Sequence, residues 1–291
     1  MHPPSFNFWR MILGASALIV LVACIYIFMF LLKIGAKSPT QSFIERKETR
    51  EQETYARLRF NLVGPEAAPA SIRGLARFGY QIMINTQKYA KEYAGDRLNC
   101  TNCHFAGGDT TDGPGGGLSL VGVTTKFPAY DSGAQKVIDL PQRINYCFER
   151  SMDGKAVPLD SELMLTLITY FQWIAKGLPI YEPVPWLGSR PLETDHKGDI
   201  NHGRQLYHTY CALCHRDDGQ GGPNVPPVWG EGSFNTLAGM NDPSIMASFI
   251  YWNMPYTDST PVLTEEEAVD VTVYILSQPR PVGKLTENDS E

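Results

Sequence analysis

A five-residue motif, Cys-x-x-Cys-His, occurs twice in this chain and limits its possible folds and chemistry more than any other feature. This spacing is typical of haem c attachment, in which two thiols bond the haem vinyl groups and the histidine ligates the iron. A single copy would also suit a zinc knuckle or a redox pair of cysteines. Two copies that both end in histidine favour two covalent haem groups and electron transfer. The predicted attachment residues are Cys100, Cys103, Cys211 and Cys214, and the predicted iron ligands are His104 and His215.

Length, charge and cysteine count narrow the class of protein further. The 291 residues suit two domains, and the net charge of -6 without a basic patch argues against a nucleic-acid partner. Four of the six cysteines belong to the haem motifs, which leaves Cys24 and Cys147. Cys24 lies in an apolar run, so these two cannot plausibly pair. Haem is attached to such motifs outside the cytoplasm, and the body of the protein is therefore expected in the periplasm.

The N-terminal region contains an uninterrupted apolar run, Met11–Leu32. A helix of about 20 apolar residues crosses a bilayer, so the run predicts an uncleaved signal anchor. The alternative is a lipoprotein signal in which Cys24 is lipidated, but apolar residues continue well beyond Cys24. Basic residues follow the run, which alone would place the C-terminal side in the cytoplasm. That rule is weak for long translocated domains, and haem attachment places the body outside, anchored to the inner membrane.

Both halves of the remaining chain place a helical pattern before a haem motif, as in class I cytochromes c. The predicted fold class is therefore all-α, with two class I cytochrome c-like domains in tandem behind an N-terminal transmembrane helix. The predicted organisation is a signal anchor (1–34), a charged spacer (35–70), a first haem domain (71–180), a proline-rich linker (181–198) and a second haem domain (199–285).

The second haem domain offers two methionines as a further iron ligand. Met254 follows a predicted helix that begins near Pro243, and a cytochrome c places its methionine ligand in such a loop. Met240 is the rival candidate. Thr264 then predicts the start of a closing helix.

In the first haem domain, Cys147 is the thiol that no haem motif uses. On a helix begun at Pro141, the side chains of Arg143, Cys147 and either Arg150 or Ser151 share one face. One interpretation is a buried cysteine that only packs. The other is a thiolate stabilised by the flanking arginines and able to bind iron or anions. Two methionines, Met152 and Met164, stay open as alternative iron ligands.

Five segments of the sequence together resemble the thiosulfate dehydrogenases, a family of periplasmic dihaem c-type cytochromes. They are CTNCH, RINYCFERSMDGKAVPLDS, CALCH, YWNMP and LSQPRP, and the resemblance extends from Ser71 to about Val282. The haem motifs are generic, whereas the segment around Cys147 is much more specific.

The resemblance implies iron ligands for both haems. The first haem is then the active site, with His104 and Cys147 as ligands. The second haem is the electron exit, with His215 and Met254 as ligands. Some family members carry a lysine immediately before this methionine that can replace it on iron. This chain has Asn253 there, so that exchange is not available.

The resemblance also implies the reaction and the groups that handle the substrate. Two thiosulfate ions are oxidised to tetrathionate, or the reverse, and Cys147 is expected to leave iron and bond a substrate sulfur. Arg143 and Ser151 match positions that line the family's substrate pocket, and Arg150 is a further candidate for offsetting the anionic charge. The expected electron acceptor is a soluble c-type cytochrome or a membrane oxidase. The alternatives are a non-enzymatic dihaem electron relay and a cytochrome that conjugates thiosulfate to a carrier protein.

Overall fold

The computed structural model describes five stretches of the chain: residues 62–111, 115–131, 134–181, 184–257 and 260–284. The predicted membrane-spanning run Met11–Leu32, with Cys24, and most of the predicted spacer lie outside these stretches. Within them, no helix combines the length and apolar character needed to cross a bilayer.

The first half of the described chain is mostly helical and ends with its longest helix. Its helices are α1 (Arg73–Ile84), α2 (Thr86–Tyr89), α3 (Val123–Lys126), α4 (Leu140–Tyr146) and α5 (Glu162–Ile174), with short 3₁₀ turns at Pro65–Ala67, Cys100–Asn102 and Phe105–Gly108. Helix α1 packs against α5 through Gly79, which lies against Tyr170. The Ser161 hydroxyl accepts the Met164 N–H at 3.2 Å and so starts α5.

A two-stranded hairpin departs from the predicted all-α class. Strand β1 (Ala129–Asp131) pairs antiparallel with β2 (Lys136–Ile138), between α3 and α4. Ile138 is buried in a small cluster with Ala134 and Tyr146. The hairpin therefore anchors the chain just before the segment that carries Cys147.

The second half repeats the arrangement of a helix before the haem motif and a closing helix across it. Its helices are α6 (Ile200–Leu206), α7 (Ala212–His215), α8 (Pro243–Asn253) and α9 (Glu265–Leu276), with a π-helical turn at Tyr207–Cys211 and a 3₁₀ turn at Gly239–Asn241. Helices α6 and α9 pack closely where Gly203 lies on the Asp270 carbonyl. The Thr264 hydroxyl accepts the Glu267 N–H and the Glu267 carboxylate accepts the Thr264 N–H, a capping box that begins α9.

The two halves contact each other beside the haem motifs. The Gly117 N–H donates to Asn253 Oδ1 at 2.7 Å, and Asn253 is 2% exposed. Phe105 makes edge contacts with Phe249 and Tyr256, at ring-centre distances of 5.7 and 5.2 Å. Asn253 thus joins the end of α8 to the first half.

Candidate functional site

The first cavity, of about 370 Å³, brings the first haem motif together with the residues predicted around Cys147. Cys100, Cys103 and His104 line one part of it, and Cys147 lines another. The rest of the lining is mostly apolar. Two groups nominated from the sequence, Arg143 and Ser151, also line this cavity.

Local sequence explains how Cys147 reaches the cavity. The Asp139 carboxylate accepts the Gln142 N–H and the Gln142 side chain accepts the Asp139 N–H, both at 2.9 Å, which starts α4. Pro141 occupies the first turn of α4. A backbone N–H in the first turn has no partner within the helix, so a proline, which has no N–H, costs nothing there. Helix α4 then widens into a π-helical turn over Cys147–Ser151, hereafter the Cys147 turn. From α4, Arg143 Nη1 donates to the Sγ of Cys147, the first residue of this turn, at 3.2 Å.

The charges around Cys147 favour its thiolate. Burial alone would raise the pKa of Cys147, but Arg143 and His104 outweigh burial and lower that pKa to about 7. The nearby thiolate in turn raises the pKa of Arg143, which keeps the guanidinium protonated. By contrast, burial raises the pKa of Cys100 and of Cys103 to about 12. The thiol outside the haem motif is therefore the one prepared for ligation or nucleophilic attack.

Both motif histidines are oriented as metal-binding histidines are. His104 Nδ1 lies 2.7 Å from the Leu118 carbonyl oxygen, and His215 Nδ1 lies 3.0 Å from that of Pro226. A proton donated from Nδ1 leaves the Nε2 lone pair for a metal. Burial lowers the pKa of His215, opposed by the Pro226 carbonyl, so its neutral, ligating form is favoured.

The Cys147 turn separates the two residues that the sequence offered as alternatives on one helix face. Hydrogen bonds in a π-helical turn join residues five apart, so each turn takes more residues than in an α-helix. Ser151 therefore stays on the cavity side with Cys147. The Arg150 guanidinium lies 3.7 Å from the ring centre of Tyr146, and Arg150 is not among the described residues that line this cavity. The two methionines also differ, because Met152 lines the cavity whereas Met164 packs in the core.

The second cavity, of about 560 Å³, is lined by the second motif and by both nominated methionines. Met254 follows α8 directly, and its N–H donates to the Ile250 carbonyl at 2.9 Å. Met240 lies in the Gly239–Asn241 turn and lines both cavities. Each cavity thus combines two motif thiols, a histidine anchored through Nδ1 and a further sulfur donor, which is a set that fits haem c.

The sequence did not indicate several polar residues that line the first cavity, among them Lys126 and Ser189. Lys126 ends the short helix α3, and Ser189 lies in the predicted linker. Neither belongs to a motif or has a spacing that relates it to Cys147, so only the folded chain identifies them.

Comparison with family models divides the chain at the same two motifs. Residues 86–180 match the cytochrome c domain of SoxA/TsdA, and residues 200–279 match the cytochrome c domain. The chain therefore contains two cytochrome c domains in tandem, mostly helical as predicted. Cytochrome c domains imply covalently bound haem c.

Three relatives named thiosulfate dehydrogenase match most of the chain. The Thiomonas intermedia protein is 39% identical over 213 residues, 71% of this chain and 66% of that protein. The Allochromatium vinosum protein is 34% identical over 217 residues, 72% of this chain and 80% of that protein. The Stutzerimonas stutzeri protein is 36% identical over 220 residues, 73% of this chain and 70% of that protein.

A solved structure has a similar fold. Thiosulfate dehydrogenase TsdBA from Marichromatium purpuratum, in its "as isolated" form, superposes with a TM-score of 0.73 at 28% sequence identity. The match covers 78% of this chain and 51% of that chain, so the present chain spans about half of the solved one.

Proposed function

The chain belongs to the thiosulfate dehydrogenase family of oxidoreductases, and on that premise we propose that it joins two thiosulfate ions into tetrathionate. The observation that carries the proposal is the first cavity, where the Cys147 thiol meets the Arg143 guanidinium in a mostly apolar space beside His104. A buried thiol beside a cation is suited to nucleophilic attack on sulfur.

Cys147 acts in this proposal as a carrier of one substrate sulfur. Its thiolate joins the terminal sulfur of one thiosulfate, giving Cys–S–S–SO₃⁻ and releasing two electrons. A second thiosulfate attacks the sulfur next to Cys147, so that the bond to Cys147 breaks and tetrathionate leaves. Atoms and charge balance in both steps, and no proton is gained or lost. Haem c, when bound, supplies one-electron acceptors.

Arg143 offsets the charge that opposes this reaction. Thiosulfate and tetrathionate are dianions, and bringing two thiosulfates together in an apolar cavity is repulsive. Arg143 provides a fixed positive charge at the thiolate itself. Lys126, Ser151 and Ser189 add a further charge and two hydroxyl groups to the same cavity.

The second domain receives the electrons in this proposal. Three residues, Leu98, Cys103 and Met240, line both cavities, which favours transfer between two bound haems. His104 and Cys147 would ligate the first iron, and His215 with Met254 the second. A soluble c-type cytochrome or a membrane oxidase would then accept the electrons from the second domain.

The decisive experiment measures tetrathionate formation from thiosulfate and ferricyanide by the haem-loaded protein and its Cys147→Ala variant. We expect activity in the parent and a loss of at least about a hundredfold in the variant, because the nucleophile is gone. Haem content and unfolding midpoint, measured for both, separate this loss from misfolding. Full activity in Cys147→Ala would remove Cys147 from the mechanism.

Two neighbouring arginines provide a matched comparison in the same assay. Arg143→Gln removes the charge beside the thiol and should greatly reduce turnover. Arg150→Gln removes an equal charge from a side chain that stacks on Tyr146 outside the cavity lining, and should reduce it much less. A loaded parent without activity in either direction would instead favour the electron relay. Thiosulfate sulfur found attached to a carrier protein would instead favour a cytochrome that conjugates thiosulfate to such a protein.

We further propose that the body works in the periplasm, held to the inner membrane by the run Met11–Leu32. Covalent haem attachment outside the cytoplasm and the length of the apolar run support this. Membrane fractions should retain the full-length protein after a high-salt wash. Protease added to spheroplasts should digest its haem domains, and protection of those domains would contradict the proposed orientation.

A further inference from the structure

We propose that Asn235, a residue of the second cytochrome c domain, positions the Cys147 turn of the first. Asn235 is 2% exposed. Its Nδ2 donates to the Glu149 carbonyl at 3.0 Å and to the Asp153 carboxylate at 2.9 Å. Its backbone N–H donates to the Arg150 carbonyl at 3.2 Å. One buried residue thus donates to three acceptors, two through its side-chain amide and one through its backbone N–H, within or just after the turn that begins with Cys147.

Two of these acceptors, the Glu149 and Arg150 carbonyls, are among the last carbonyls of the turn. The last carbonyls of a helix have no partner within it. In the first domain, the Met152 N–H donates to the Cys147 carbonyl at 3.0 Å and the Gly154 N–H to the Phe148 carbonyl at 2.9 Å. The next two carbonyls, of Glu149 and Arg150, are bonded by Asn235. The end of the turn is therefore completed by the other domain.

The orientation of the Asn235 amide is fixed on its own side. Its Oδ1 accepts the Leu237 N–H at 3.0 Å, so the NH₂ group faces the Cys147 turn. A carboxylate in the same place would set an oxygen against the Glu149 carbonyl and the Asp153 carboxylate. The site accordingly requires a donor, which neither alanine nor aspartate provides.

The position of this turn determines where the reactive thiol lies. Cys147 is its first residue, and Arg143 donates to Cys147 Sγ from the preceding helix α4. The turn also packs against Gly239–Asn241, which contains Met240. A shift of the turn would therefore change both the thiol and the wall shared by the two cavities. This inference rests on the proposed function for the role of Cys147, and it makes the second domain part of the active site as well as the electron exit.

The test compares Asn235→Ala with Asn241→Ala in the full-length, haem-loaded protein. Asn241 follows Asn235 closely in the second domain, and its Nδ2 also donates to a backbone carbonyl, that of Thr236, at 3.0 Å. Both groups of that hydrogen bond belong to the second domain. The first readout is the electron paramagnetic resonance spectrum of the ferric protein, which reports thiolate ligation. The second is the rate at which iodoacetamide alkylates Cys147, followed by peptide mass spectrometry. Neither requires turnover.

We expect Asn235→Ala to show a second, thiolate-free ferric population and faster alkylation of Cys147. Its kcat should fall about tenfold, the equivalent of 1.4 kcal/mol, with KM nearly unchanged. Asn241→Ala should match the parent in every readout. Parent-like spectra, alkylation and kcat in Asn235→Ala would overturn the inference and leave the proposed function standing. If the parent fails to oxidise thiosulfate, the spectra and alkylation still decide the inference.

A second pair of variants tests the contact by repair. Asn235→Asp should lower the thiolate signal more than Asn235→Ala does, because the new carboxylate faces the Asp153 carboxylate and the two repel. Adding Asp153→Asn restores a donor opposite the new carboxylate and should recover part of the thiolate signal. Position 153 has φ +47°, a conformation that asparagine adopts as readily as aspartate. Absence of any recovery, with Asp153→Asn alone resembling the parent, would contradict the proposed contact even if Asn235→Ala folds poorly.

Discussion

Asp96 is a buried carboxyl group near the first haem motif. It is 8% exposed, and its Oδ1 accepts the Leu98 N–H at 2.7 Å, whereas Oδ2 has no hydrogen-bond partner in the described part of the chain. Burial raises the pKa of Asp96 to about 7, the Leu98 N–H opposes this, and the charge of Asp153 adds to it. The folded protein therefore holds this proton more tightly than the unfolded chain does.

The sign of the resulting pH dependence follows from that difference. Because the folded pKa lies above the ordinary value of 3.8, stability falls as the pH rises from about 4 to about 7. Asp96→Asn removes the ionisable group. The free energy of unfolding of this variant should therefore exceed that of the parent by more at pH 7.5 than at pH 5. Urea unfolding midpoints of the haem-loaded protein measure this. The exposed Asp195→Asn serves as the control, and an equal difference at both pH values for Asp96→Asn would contradict the prediction.

Single residues also show how far the sequence predicts the site. The sequence predicts that Arg143 and Cys147 lie on one face of a helix, and the structure places them in contact. Residues four apart stay close even though α4 changes into the Cys147 turn between them. Lys126 and Asn235 were missed because long-range folding alone brings them near Cys147. Their roles depend on which loops meet, and a single sequence does not contain that information in any local pattern.

Helix packing depends on one glycine in each domain. A methyl group at Gly79 would lie 2.5 Å from Tyr170 Cβ and 2.8 Å from the Thr166 carbonyl oxygen. At Gly203 it would collide with the Asp270 carbonyl, a backbone group that cannot rotate away. Both glycines therefore set how closely the first and last helices of a domain approach.

Gly203→Ala and Gly79→Ala should each reduce the free energy of unfolding, by about 1–3 kcal/mol from overpacking. Gly203→Ala should have the larger effect, because backbone must move. Gly74→Ala is the matched control, since Gly74 also lies in α1 and has nothing within 4 Å of the added methyl. It should stabilise by about 0.5–1 kcal/mol through helix propensity. Urea titrations of all three test this, and three equal shifts would contradict the packing argument.

The sequence indicates where helices begin, but it does not indicate the Cys147 turn or the β1–β2 hairpin. Pro141 and Thr264 each carry a local signal that the structure follows. The Cys147 turn and the β1–β2 hairpin have no such signal. The turn is completed by hydrogen bonds from the second domain, and the hairpin is held by burial of Ile138. Elements that depend on tertiary contacts are the ones that periodicity fails to predict.

At the scale of the whole molecule, the two domains are joined by backbone as well as side chains. The Gly115 N–H donates to the Trp252 carbonyl at 2.9 Å, and the Arg97 N–H to the Gly232 carbonyl at 3.2 Å. Asn235 adds two hydrogen bonds to the Cys147 turn and one to Asp153, which follows it. The domains are thus held together independently of the proline-rich linker between them.

A protease site inserted after Pro191, which is exposed, tests whether the linker is needed. After cleavage, both haem domains should elute together on gel filtration at the volume of the uncut protein, because buried hydrogen bonds and aromatic contacts keep them joined. The urea concentration at which the two fragments separate would then measure the strength of the contact. Thiosulfate oxidation should persist in the cut protein, since the Cys147 turn stays completed by the second domain. Fragments that separate without urea would show that the linker, and not the contact between the domains, holds the two cavities together.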